Sequence, residues 1–169
     1  MRRVLVVAAV ALVLPAALAR PDAETYTPPA GGYSVKFPAK PQETTRKVNA
    51  GGMEVELRLA TYATSRGEAY MTSVSPAAAR PGNPQDFLGG VVKGIAKGFE
   101  GNLTGERELP FGEDKLPGRS FTVEKGKTFL HGFVVLHDDH VYQAAVTGPK
   151  GFVDGREAKA FLDSFKLTK

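Results

Sequence analysis

Two imidazoles and two carboxylates stand in a row at His137-Asp138-Asp139-His140. These are ligand types for a zinc-like ion, and no other stretch groups them so closely. The spacing works against convergence, because successive side chains in a tight turn splay apart and aspartate tolerates turn dihedrals. The expected state is a solvated hairpin tip, with a metal site as the alternative. His131 stands alone, on the same side of its segment as Phe129 and Phe133. That placement predicts a buried, hydrogen-bonded core histidine rather than a catalytic one. No Gly-x-Ser-x-Gly elbow accompanies it, and none of the six serines has a nucleophile's setting.

Phosphate and dinucleotide chemistry also fail on spacing. Gly126-Lys127-Thr128 has the ending of a phosphate loop, but Phe121 stands where the first glycine is required. A hairpin turn explains it better. Gly98, Gly101 and Gly105 are wrongly spaced for a dinucleotide fingerprint and follow a helical segment instead of a strand. Asn102-Leu103-Thr104 fits a glycosylation sequon, relevant only in a eukaryotic source, whereas the alanine-rich leader looks bacterial. No catalytic, cofactor-binding or metal-binding residue is therefore assigned.

The elements that hold these residues are legible from their periods. Tyr33, Val35 and Phe37 alternate with Ser34 and Lys36, a strand ended by Pro38. Val55, Leu57 and Leu59 alternate with charged residues, and the turn Asn49-Ala50-Gly51-Gly52 predicts a hairpin over Thr44 to Tyr62. Tyr70, Thr72 and Val74 predict a further strand. Asn83 and Pro84 then open a helix with Phe87, Leu88, Val91, Val92, Ile95 and Phe99 on one face. Gly90, Gly94 and Gly98 form a bare stripe beside that face, and close packing of the helix on a neighbour is its expected use.

Strands resume at Leu103 to Leu109 and Arg119 to Val123. Thr128 to Leu136 is apolar on both faces and so predicts a central strand covered on both sides. His137 to His140 turns the chain into Val141 to Thr147. Asp154 and Glu157 fit a capping box for a last short helix presenting Ala158, Phe161, Leu162 and Phe165. This order predicts an α+β domain: an antiparallel sheet flanked by two main helices.

At the N-terminus, Arg2 and Arg3 precede an apolar run from Val4 to Leu14, then Pro15 and a small-x-small site at Ala17-Leu18-Ala19. The run is shorter than the roughly 20 residues that a membrane span needs, so residues 1–19 read as a cleaved signal peptide. The expected home is secreted or periplasmic. Residues 20–31 form an extended lead-in and residues 32–169 a single domain of ordinary size. There is no cysteine, which excludes disulfides, thiol catalysis and lipid attachment through cysteine. The formal charge of +4 falls once Arg2 and Arg3 leave with the leader, and the remaining charges intermix. No nucleic-acid footprint results.

Four stretches together resemble a known group: Gly32-Tyr33-Ser34-Val35-Lys36-Phe37-Pro38, Pro117-Gly118-Arg119-Ser120-Phe121, His140-Val141-Tyr142-Gln143 and Ala160-Phe161-Leu162-Asp163-Ser164-Phe165-Lys166-Leu167. Over about Gly32 to Leu167 the chain resembles small exported bacterial proteins of the PsbP/Mog1-like family. The resemblance implies an antiparallel sheet flanked by helices and a non-enzymatic habit. Proteins of this kind include an extrinsic photosystem subunit, a factor that binds a small GTPase, and bacterial envelope proteins. It carries over no catalytic residue and no cofactor. The expected function is binding of a protein or envelope component without a membrane span after cleavage. The alternative is a metal- or small-ligand-binding periplasmic protein, using the 137–140 turn or a cavity under a helix.

Overall fold

A computed structural model describes residues 24–29, 31–50, 53–77 and 82–168. The expected leader, residues 1–19, lies outside them, as do residues 51 and 52 of the predicted turn. Among the described residues the elements are β1 Glu24–Tyr26, β2 Tyr33–Phe37, β3 Gln42–Ala50, β4 Met53–Ala63, β5 Ala69–Pro76, α1 Pro84–Phe99, β6 Asn102–Glu108, β7 Gly118–Lys125, β8 Thr128–His137, β9 His140–Pro149, α2 Lys150–Val153, α3 Arg156–Asp163 and β10 Lys166–Leu167. A seven-stranded sheet runs in the order β3-β4-β5-β9-β8-β7-β6, and every pairing is antiparallel. A second sheet, β1-β2-β10, packs against it.

The topology follows from one crossover. β3, β4 and β5 form a meander; α1 then carries the chain from the middle of the sheet to its far edge at β6. The meander β6-β7-β8-β9 returns until β9 pairs with β5, from Ala69↔Thr147 to Pro76↔His140. β8 is thereby central, and its apolar residues are buried on both faces, as the sequence predicts.

Two cores result, one on each face of the sheet. On one, Leu88, Val92 and Ala96 of α1 pack on Phe121, Val123, Leu130, Val134, Val141 and Ala145. Asn83 starts this helix as predicted: its Oδ1 accepts from the backbone N–H groups of Gln85 and Asp86 at 2.9 and 3.4 Å. The Arg119 guanidinium ties the helix start to the sheet. Its Nε–H donates to the Gln85 carbonyl at 3.0 Å, and Nη1 lies 2.6 Å from Glu106 Oε1.

On the other face, β2 and α3 lie over the sheet, with Tyr33, Val35, Phe37, Ala158, Phe161 and Phe165 buried against Tyr70, Phe133, Val135 and Val146. α3 differs from expectation at its start. Its N-cap is Gly155 with no side-chain cap, because Asp154 already ends α2, a single turn that the sequence pattern does not reveal. The glycine stripe of α1 differs too. A methyl group at Gly90, Gly94 or Gly98 would meet nothing within 4 Å, so the stripe faces open space and not a packed neighbour.

Candidate functional site

The β8–β9 connection is a two-residue hairpin turn, with φ of 47° at Asp138 and 57° at Asp139. Both central residues are left-handed, the geometry whose twist matches paired strands, and aspartate tolerates it at modest cost. The turn then dictates where the ligand-type side chains go. His140 Nδ1–H donates to the Asp138 carbonyl at 2.8 Å, and His137 Nε2 lies 3.2 Å from the exposed Asp138 carboxylate. Among the described residues no three His, Asp or Glu side chains are grouped to hold a metal ion.

His131 is placed otherwise than a sealed core residue. Strand alternation sets it on the α3 face of β8, where it is half-buried and its Nδ1 is 2.9 Å from Thr122 Oγ1. Burial lowers its pKa below the ordinary 6.5 and Arg107 pushes the same way, while Asp154 and the Phe121 backbone oppose the shift. Its ring lines an open groove of about 480 Å³ between α3, β6, β7 and β8, together with Arg107, Ser120, Phe111, Phe133 and Phe165. The sequence offers little warning of this groove. Arg107 and Ser120 sit in ordinary alternating strands, and only the register Arg107↔Ser120↔Phe133 sets them side by side.

A second surface lies on the opposite half of the sheet. β4 pairs with β5 only over Arg58–Ala63, so the outer part of the β3–β4 hairpin, from Arg46 to Leu57, has no third strand. On this ribbon Val48 is directly opposite Val55, and Leu57 and Leu59 continue the same side. The four are only half-buried and join neither core. α1 covers the β6-β7-β8 half of that face and leaves this half uncovered. The other side of the ribbon is charged, with Lys47 Nζ 2.8 Å from Glu54 and Arg58 Nε 2.7 Å from Glu56. The sequence shows the alternation clearly but gives no sign that, among the described residues, no element covers its apolar side.

No family model matches the sequence, and no curated protein does. The structure is similar to that of cyanobacterial PsbP (CyanoP) from Synechocystis sp. PCC 6803, determined in solution. The TM-score is 0.61 at 13% sequence identity, over 93% of this chain and 99% of that one. The fold is PsbP-like.

The stretches that carry the sequence resemblance are the ones that build this PsbP-like fold. Tyr33 stacks on Phe165 with ring centroids 5.1 Å apart, and meets Tyr142 edge-on at 6.2 Å. Gly32 has φ +90°, and a methyl group there would strike Tyr142 Oη at 2.8 Å, so only glycine suits this position. Three of the four stretches thus meet in one aromatic cluster. Their common content is packing, which carries a fold and not a reaction.

Proposed function

We propose that this chain is an exported, non-catalytic PsbP-like domain that holds a protein or other envelope component outside the cytoplasm. Residues 1–19 are its leader, and the working chain begins near Arg20. The observation that carries the reading is the ribbon row Val48, Val55, Leu57 and Leu59. It is an apolar strip on one side of a two-stranded element, with Arg46 opposite Leu57 on that side and Lys47, Glu54, Glu56 and Arg58 on the other. A partner covering it would bury apolar area worth roughly 25 cal/mol per Å², and a carboxylate on that partner facing Arg46 would fix its register. Support for a non-catalytic role comes from the PsbP-like fold, whose shared positions are packing residues.

The test is a crosslinking pull-down from the host with the C-terminally tagged protein, compared with Leu57→Asp. One stoichiometric partner is expected, which rebinds in purified form and is lost from the folded variant. Saturable turnover of a substrate by the purified protein, or undiminished capture by Leu57→Asp, would overturn the reading.

A further inference from the structure

The groove on the α3 face is a different surface from the ribbon, and its chemistry points to a small ligand. At about 480 Å³ it falls inside the range of roughly 300–1,000 Å³ that small-molecule sites occupy. Leu109, Phe111, Phe133, Leu162 and Phe165 give it an apolar lining. The cations around it are not equivalent. Lys159 Nζ is 2.8 Å from Asp163 Oδ2, so that charge is already paired. Arg107 donates its Nε–H to Ser120 Oγ at 3.1 Å and has no carboxylate partner among the described residues. One edge of the guanidinium is thereby fixed, and its terminal nitrogens keep their capacity for a planar acceptor.

We propose that this groove binds a small organic monocarboxylate with an aromatic-sized apolar body. The acid group pairs with Arg107 beside Ser120, and the body lies among Phe111, Phe133 and Phe165. A bidentate guanidinium–carboxylate pair is the strong, oriented contact such a site offers. A single negative charge fits better than a phosphate dianion, because Asp154 lines the side opposite Arg107 and repels further charge, whereas Asp163 is paired with Lys159. The Asp154 carboxylate thereby places the acid group at the Arg107 end. This proposal goes beyond the protein-binding reading and stands on other residues, so either can fail alone.

The experiment is an NMR titration of the ¹⁵N-labelled protein at neutral pH with 3-phenylpropanoate and, separately, with its uncharged amide. Saturable shifts are expected at Arg107, Ser120 and His131 to Phe133. Binding should weaken by about tenfold or more for the amide and for Arg107→Gln, while Arg107→Lys retains part of it. Arg107 is exposed on the edge strand β6, so its variants should keep the native spectrum, which the same data verify. Absence of saturable shifts, equal binding of the amide, or unchanged binding by a folded Arg107→Gln would each overturn the proposal.

Discussion

A histidine's proton affinity is set by the water it loses and the charges it meets, and His131 has lost much of its water. Burial lowers its pKa from 6.5 and Arg107 adds to this, against Asp154 and the Phe121 backbone. The unfolded chain therefore binds a proton more readily at this site than the folded one. The sign follows directly: stability rises with pH wherever the unfolded state holds more protons. The contribution of His131 is complete above about 6.5 and is lost as pH falls through that value toward the lower folded pKa. Urea midpoints measured from pH 8 down to pH 5 should fall more steeply for the wild type than for His131→Gln. Parallel curves would contradict the assignment. The sequence correctly predicts a hydrogen-bonded histidine, but alternation alone does not say that its face opens into a groove.

At the scale of an element, α1 shows how far local signals reach. Asn83 and Pro84 mark its start, and the predicted face of Phe87, Leu88, Val91, Val92, Ile95 and Phe99 packs inward, with Leu88 and Val92 fully buried and Ala96 beside them. The stripe Gly90, Gly94 and Gly98 is misread by the same logic. Small residues allow a close neighbour, yet whether one comes depends on how the helix is rotated against the sheet. Here the stripe faces open space, and each glycine only costs conformational entropy in the unfolded chain. Gly94→Ala should accordingly stabilise the protein by about 0.5–1 kcal/mol, read as a higher urea midpoint with unchanged m-value. A loss of stability would show that α1 needs this glycine for a contact. The capping box at Asp154 and Glu157 fails for a related reason. The pattern is right, but the backbone spends Asp154 on ending α2.

For the whole molecule, stability without cysteine rests on two cores that share one sheet. Phe161 is central to the larger one. It is 2% exposed, with its ring centroid 5.0 Å from Phe37 and 5.2 Å from Tyr70. Phe161→Ala should cost about 3–5 kcal/mol, a large share of the roughly 5–15 kcal/mol that a domain of this size possesses. The small sheet and α3 both lean on this ring, so they should be lost together. Circular dichroism and tyrosine fluorescence should follow one shared, lowered unfolding transition. Two separated transitions would mean that the β1-β2-β10 layer unfolds independently.

The residues by themselves determined the α+β class, the order of the main strands and helices and the apolar sides of β2, β4, β8, α1 and α3, because these depend on periods of 2 and 3.6 along the chain, whereas the short β1, α2 and β10 have too few residues to show a period. The aromatic positions behind the PsbP-like fold were legible for the same reason. Only the tertiary structure decided which apolar faces would be covered. α1 shields the β6-β7-β8 half of one face, and α3 with the small sheet shields the β5-β9 region of the other. Among the described residues, the ribbon row and the Arg107 groove are left uncovered. Both arise from where layers end, and the edge of a layer is fixed by long-range pairing such as β5 with β9, which no local pattern encodes.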